Sequence, residues 1–183
     1  MLMIGEETFH PDTRALLAYG RALGGQGEPP ARTSGDKGAD RLAERLFVFD
    51  RFNDGRMLVR TFGTELVTLF GGDLRDRDFF GFWPDADQAL LQAFIVAVEA
   101  AGQPGIVRAQ AESATGRRMG AEILITPLRT TPATCDRYLG LFQPLGGEAF
   151  LNGEALVCLR LGSIHPPAAR LAPSPPRLVV RNG

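Results

Sequence analysis

The chain is poor in the residues on which small catalytic and metal-binding proteins depend. Among 183 residues there are two histidines, His10 and His165, two cysteines, Cys135 and Cys158, one tryptophan, and a single lysine, Lys37. Neither cysteine stands in a CxxC spacing or beside a histidine, and a chain of this length does not need a disulfide. They read as reduced, buried thiols of a cytosolic protein. No apolar run reaches the length of a membrane span, and residues 1–13 have neither the basic start nor the apolar stretch of a signal peptide, so a cytoplasmic location without a membrane partner is expected. With 20 Lys and Arg against 21 Asp and Glu, no global field attracts phosphate backbones, and nucleic acid is not an expected partner. GxSxG, HExxH and P-loop motifs are missing too. No catalytic residue and no metal ligand are assigned, and the chain reads as a non-enzyme.

What is present is a readable order of elements. An amphipathic helix capped by Asp12 carries Leu16, Tyr19 and Leu23 on one side, ending at Gly24-Gly25. The following stretch to Asp40 is rich in Gly, Pro and polar residues and reads as a flexible linker, so that residues 1–40 form an N-terminal arm. Such a helix docks either on its own domain or on a second copy. RLFVFDRF from Arg45, the turn Asn53-Asp54-Gly55 and RMLVRT from Arg56 make a hairpin. Asp50 and Asp54 near this turn read as turn acceptors and solvated charges.

Between Arg60 and Trp83, RTFGTELVTLFGGDLRDRDFFGFW packs phenylalanines, glycines and acids too closely for one regular element, and reads as short turns folded over a pocket. Pro84 then opens a long helix, with Asp85 as cap, Gln88 three residues on, and Leu90, Phe94, Val98 and Ala101 on one side, broadened by Leu91 and Ile95. Gly102 and Pro104 stop it. Alternation over Ile106–Glu112 and Arg118–Leu128 about Thr115-Gly116 predicts a long antiparallel hairpin, and RYLGLFQPL from Arg137 a central strand. Residues 148–183 form an extension in which ALVCLRL, Ala155 to Leu161, is compatible with a further strand. The proline-rich end is irregular, with Leu178–Val180 either at a sheet edge or free.

This order of elements resembles a PAS domain over residues 41–147. The dense segment, the helix after it, RYLGLFQPL, the early LLAYGRALGG and PPAR, and the late LGSI are similar to a bacterial family of stand-alone PAS proteins that includes a motility regulator. One position departs from that pattern: Gly20 stands where relatives usually carry tryptophan after the tyrosine. The resemblance implies an α+β fold with a five-stranded antiparallel sheet, short helices and one long helix on one face, and the N-terminal helix in addition. It also implies a sensory or regulatory module that acts through protein contacts with another signalling protein.

In haem-binding PAS domains a histidine on the long helix holds the iron, and in flavin-binding ones a cysteine precedes that helix. Neither is in place here, so no cofactor is expected. The pocket that the resemblance implies would be lined by Phe62, Leu66, Phe70, Phe79, Phe82, Trp83, Phe94 and Val98, which read equally as a ligand site or as an ordinary close-packed core. Arg108, Gln110 and Arg118 are polar groups that could orient a ligand, although their parity favours the outer face. That outer face, covered by Leu16, Tyr19 and Leu23, is where a homodimer or partner is expected. Asp73, Asp76 and Asp78 alternate with Arg75 and Arg77 and read as a self-neutralising loop. The readings left open are a sensor with a small apolar or amphipathic ligand, an adaptor whose pocket is filled by its own side chains, and a small cone-shaped enzyme.

Overall fold

The computed structural model describes residues 8–23, 41–128 and 136–167. The expected linker, Cys135 with its loop, and the tail with Leu178–Val180 lie outside the described residues. The chain forms α1 (Pro11–Leu23), β1 (Leu46–Arg51), β2 (Met57–Phe62), α2 (Thr64–Phe70), a 3-10 turn (Phe79–Phe82), α3 (Asp85–Ala101), β3 (Gly105–Ser113), β4 (Arg118–Leu128), β5 (Arg137–Pro144), α4 (Glu148–Leu151) and β6 (Leu156–His165). The strands form one sheet in the order β2-β1-β5-β4-β3-β6, with every pair antiparallel.

The sheet has six strands rather than the expected five. The additional strand is the ALVCLRL run, which continues to His165 and pairs with β3 in a register that sets Leu159 opposite Ala111. It joins the sheet because Leu156 and Leu159 turn into the same core as β3 and β4. Residues 156–165 of the extension therefore form part of the sheet. As the apolar character of both its parities requires, β5 is central, between β1 and β4.

Local signals explain most element ends. Gly55 takes φ 87° in the β1–β2 turn and donates its N–H to the Phe52 carbonyl at 2.9 Å. In α3 the expected cap moves by one residue: Pro84 holds the N-cap position and Asp85 begins the helix. Gln88 ties the entry down by donating from Nε2 to the Trp83 carbonyl at 3.0 Å. The apolar face of α3 is also turned from the expected one. Leu91, Phe94, Ile95 and Val98 are buried, whereas Leu90 is 55 % exposed. Alanines occupy much of the rest of this helix, so its apolar pattern is weakly polarised and sequence periodicity left the angle loose.

Two faces result. On the inner face lie α2, the 3-10 turn and α3, over a core that runs from Phe47 and Phe49 to Leu156 and Leu159. Gly140 of β5 makes room there: a Cβ would meet the Phe47 ring at 2.2 Å, so the phenylalanine lies flat against bare backbone. On the outer face α1 lies across the chain's own central strands, with Leu16 and Leu17 against Ile106, Leu124 and Leu141. The stripe that meets the sheet is Thr13, Leu16, Leu17 and Gly20; Tyr19 points largely to solvent, and the Leu23 side chain lies outside the described residues. Gly20 belongs to the close approach, since a Cβ there would stand 3.0 Å from Thr126 Oγ1 and 3.2 Å from Pro104 Cγ.

Candidate functional site

The candidate site is a small cavity on the inner face, between α2, the 3-10 turn and the sheet. The helical side contributes Leu66, Phe70, Leu74, Phe79 and Phe82, and the strands contribute Phe47, Val59, Ile123, Phe142 and Leu159. Every one of these side chains is buried. The space open to the centre of a water-sized sphere is about 30 Å³. Its walls hold no polar side chain, so a water inside would find none of the partners it needs.

Local chemistry positions these walls. Gly71 closes α2 at φ 71° and donates to the Val67 carbonyl. The Asp78 carboxylate accepts from the backbone N–H of Phe80 at 3.1 Å and of Met57 at 3.2 Å, which pins the 3-10 turn to β2. Rings then interlock: Phe49 stacks between Phe79 and Tyr138 at centroid distances of 5.1 Å, while Phe70 meets Phe82 and Phe142 edge to face at 5.1 and 5.4 Å. The geometry suits aromatic quadrupoles, which favour offset and T-shaped pairs. Trp83 packs 5.9 Å from Phe79, and its Nε1 is buried without a hydrogen-bond partner.

Four of the residues expected around a pocket, Leu66, Phe70, Phe79 and Phe82, line this cavity. Phe62 packs half-buried at the margin of the core, and Trp83, Phe94 and Val98 are buried beyond the cavity wall. Phe47, Val59, Ile123 and Phe142 were not singled out from the sequence, although strand alternation carried the signal for them. Leu159 had no such signal before β6 was placed.

The structure does not bring Arg108, Gln110 or Arg118 to the cavity. Their parity sets them on the outer face, where Arg108 donates from Nη2 to Glu122 Oε1 at 3.0 Å and to the Thr8 carbonyl at 2.6 Å. Glu122 is fully buried, and its other oxygen accepts from the His10 N–H at 3.0 Å. Gln110 is exposed, and Arg118 pairs with Glu112. The His10 ring accepts from the Asp12 N–H at 3.2 Å and so caps α1 itself, the role expected of Asp12. His165 contacts the Phe9 ring edge to face at 5.1 Å. Burial, and then the Arg108 charge, lower its pKa below the usual histidine value.

The acidic loop is engaged in pairing and turn bonds. Asp73 pairs with Arg75, Asp76 with Arg60, and Asp78 serves as the cap just described. The Arg75 guanidinium and backbone N–H hold Asp73 below the ordinary carboxylate range. Among the described residues no group of three His, Cys, Asp or Glu side chains could hold a metal ion.

Against this geometry, comparison with known proteins is informative at the level of family. A family described as PAS domain matches residues 8–143. The chain belongs to the PAS domain family. None of the curated proteins matches it. Among solved structures it is similar to the light state of the blue-light photoreceptor Aureochrome1 LOV, at 15% identity and a TM-score of 0.46, covering 64% of this chain and 93% of that one. It is also similar to the Rhodobacter sphaeroides LOV protein, at 14% identity and 0.46, covering 61% and 67%. Neither likeness carries a ligand across. The cavity walls of this PAS domain carry no polar side chain. The described cysteine, Cys158, lies across from Glu112 on the outer parity of β6, away from the cavity. No described helix is long and apolar enough to cross a membrane.

Proposed function

We propose that the chain is a non-enzymatic regulatory PAS module that senses a small ligand in its inner cavity and signals through protein contacts. The observation that carries this reading is the small, wholly apolar cavity between the sheet and the short helices, in a chain whose acidic residues at the same end are engaged in ion pairs and turn bonds. A cavity without polar walls has no chemistry to perform on a substrate, but its filling adds contacts to both layers at once. Protein from cells, compared by native and denaturing mass spectrometry with a visible spectrum alongside, should show a mass lost on denaturation. Apo mass with no shift in melting temperature across a metabolite panel would overturn the sensor.

The adaptor reading is favoured by the smallness of the cavity, since most of the aromatic side chains close upon one another. It predicts partner binding that is unaffected by cavity-filling substitutions, measurable by cross-linking and pull-down from a cytoplasmic extract. No observation favours the enzyme. A homodimer in our reading would use the outward side of α1 around Tyr19, because the Leu16 side is already seated on the chain's own sheet. Light scattering that gives a monomer at high concentration would sink it.

A further inference from the structure

We propose that residues 8–12 form an acid-labile clasp: while His165 is neutral they hold α1 on the outer face of the sheet, and a proton on His165 releases them and bares the apolar strands beneath. This input lies on the face of the sheet opposite the inner cavity, so it goes beyond the sensory reading above and needs no ligand there.

The clasp closes around Phe9, a side chain only 7% exposed. From β3, the Arg108 guanidinium stands 5.0 Å from the centre of the Phe9 ring and donates to the Thr8 carbonyl. From β4, the fully buried Glu122 accepts from Arg108 through Oε1 and from the His10 N–H through Oε2. From β6, the His165 ring meets Phe9 edge to face at 5.1 Å, with the Ser163 hydroxyl 2.9 Å from its Nε2. Thr8, Phe9 and His10 are thus each fastened by a different contact, and α1 begins directly after them at Pro11.

Without the clasp α1 is lightly seated. Among its described side chains the buried apolar ones are Leu16 and Leu17; Gly20 adds no side chain, and the Thr13 hydroxyl is buried without a hydrogen-bond partner. A helix of 13 residues is marginal by itself in water. Phe9 completes the apolar cluster of Leu16, Leu17, Ile106, Leu124 and Leu141, so the ring and the helix leave the sheet together.

Arg108 and Glu122 balance one another while His165 is neutral. A proton on His165 sets a second cation beside a carboxylate that already holds Arg108. The groups that face His165 are Arg108 from β3, Glu122 from β4, Ser163 from its own strand and Phe9 from the N-terminal segment. The Ser163 hydroxyl can turn to serve the neutral or the charged ring, so charge decides. Burial, and then Arg108, lower the pKa of the seated ring against the pull of Glu122. Once the clasp opens the ring is solvated and takes its proton at the ordinary value near 6.5. The open form therefore binds the proton more tightly, and acid favours it as the pH falls from 6.5 to the lower value of the seated ring.

Full-length protein is compared at pH 7 and pH 5 by hydrogen exchange with mass spectrometry, read as protection factors so that the intrinsic pH dependence drops out. From pH 7 to pH 5 the protection of α1 should fall about threefold or more, while the residues around Phe49 keep theirs. His165→Gln should hold its pH 7 protection at both values. Phe9→Ala, which empties the clasp, should leave α1 poorly protected at both. His10→Asn removes the chain's other histidine and keeps an acceptor at the start of α1, and it should respond as the parent does. Unchanged α1 protection in the parent, or a fall that survives in His165→Gln, would overturn the clasp; so would a fall that vanishes in His10→Asn or extends equally to Phe49. Should His165→Gln fail to fold, a Phe9→Ala protein that still loses α1 protection between pH 7 and pH 5 would overturn it as well.

Discussion

The two faces of the sheet are covered by the same means, helices laid across strands, yet their chemistry differs. The inner face meets α2, the 3-10 turn and α3 through rings and aliphatic side chains, with Phe49 fully buried among Phe47, Phe79 and Tyr138. The outer face meets α1 through a small apolar centre bordered by charge. Buried Glu122 accepts from Arg108 and His10, and Arg45 donates to Gln143 at 3.1 Å. A hydrocarbon layer is held by area and shape, and its strength is indifferent to pH. A mixed layer is held by directed bonds, each of which fails when a single proton or donor is lost. The inner face is thus built for cohesion around a cavity, and the outer face for a helix that single changes can loosen.

The most severe way to break this contrast is to remove the inner stack. Phe49→Ala should cost about 3–5 kcal/mol and lower stability across the whole domain, seen as a lower urea midpoint by circular dichroism. A loss confined to the outer face would contradict the assignment of the core.

Gly20→Trp places a large ring at a point where even a methyl group crowds Thr126 and Pro104. It should lift α1 at a cost of about 2 kcal/mol. Hydrogen exchange should then rise in α1 and the strands below it while the residues around Phe49 keep their protection. Equal protection in both variants would mean that α1 can re-seat.

Glu122→Gln keeps the shape of a buried side chain and removes its charge, leaving Arg108 with a weaker acceptor. The expected cost is about 1–2 kcal/mol. Thermal unfolding should show it at pH 7, and Arg108→Met in the same background should recover part of it. If the double variant is worse than the sum of the singles, the pair is not the source.

The smallest effect is that of pH, and it too belongs to the outer face. Groups around His165 are Arg108 on the adjacent β3, Glu122 one strand further on β4 and the Ser163 hydroxyl 2.9 Å from its Nε2, with Phe9 of the N-terminal segment against its ring. Its folded pKa lies below the unfolded value near 6.5, so the unfolded chain binds the proton more readily. Its contribution is complete above 6.5 and declines as the pH falls from there to the folded pKa. Asp50 is held below 3.8 by Arg137 and Arg60, and its contribution is lost only at lower pH, as the solution falls through that depressed value. Stability should therefore fall slightly from pH 7 to 5, and that first step should vanish in His165→Gln. A step that survives in the variant would assign it to another group.

How much of this was legible beforehand varies from element to element. The Asn53-Asp54-Gly55 hairpin, the α3 stop at Gly102 and the alternation of Val107, Ala109 and Ala111 are local facts, and each was readable where it stands. The face of α3 was not, because Leu90 and Leu91 are equally apolar and only packing chose between them. The face of α1 was misread for a related reason. Glycine has no hydropathy to announce a contact, and the bare backbone of Gly20 is what lets the helix approach. In the cavity, the phenylalanines of the dense segment stood out by their density. Phe142 and Leu159 did not, because their part depends on which strands are neighbours.

The sequence by itself determined the family, the order of the elements, and the scarcity of histidine and cysteine that directs attention away from metal and thiol chemistry. These are properties of residue identity and short-range spacing. Only the tertiary structure decided that a sixth strand completes the sheet, that α1 covers the outer face of its own chain, and that the aromatic side chains leave a dry space instead of closing it. Strand pairing, the choice of face and residual volume are long-range sums over side chains far apart in the chain, and no local pattern encodes a remainder of that kind.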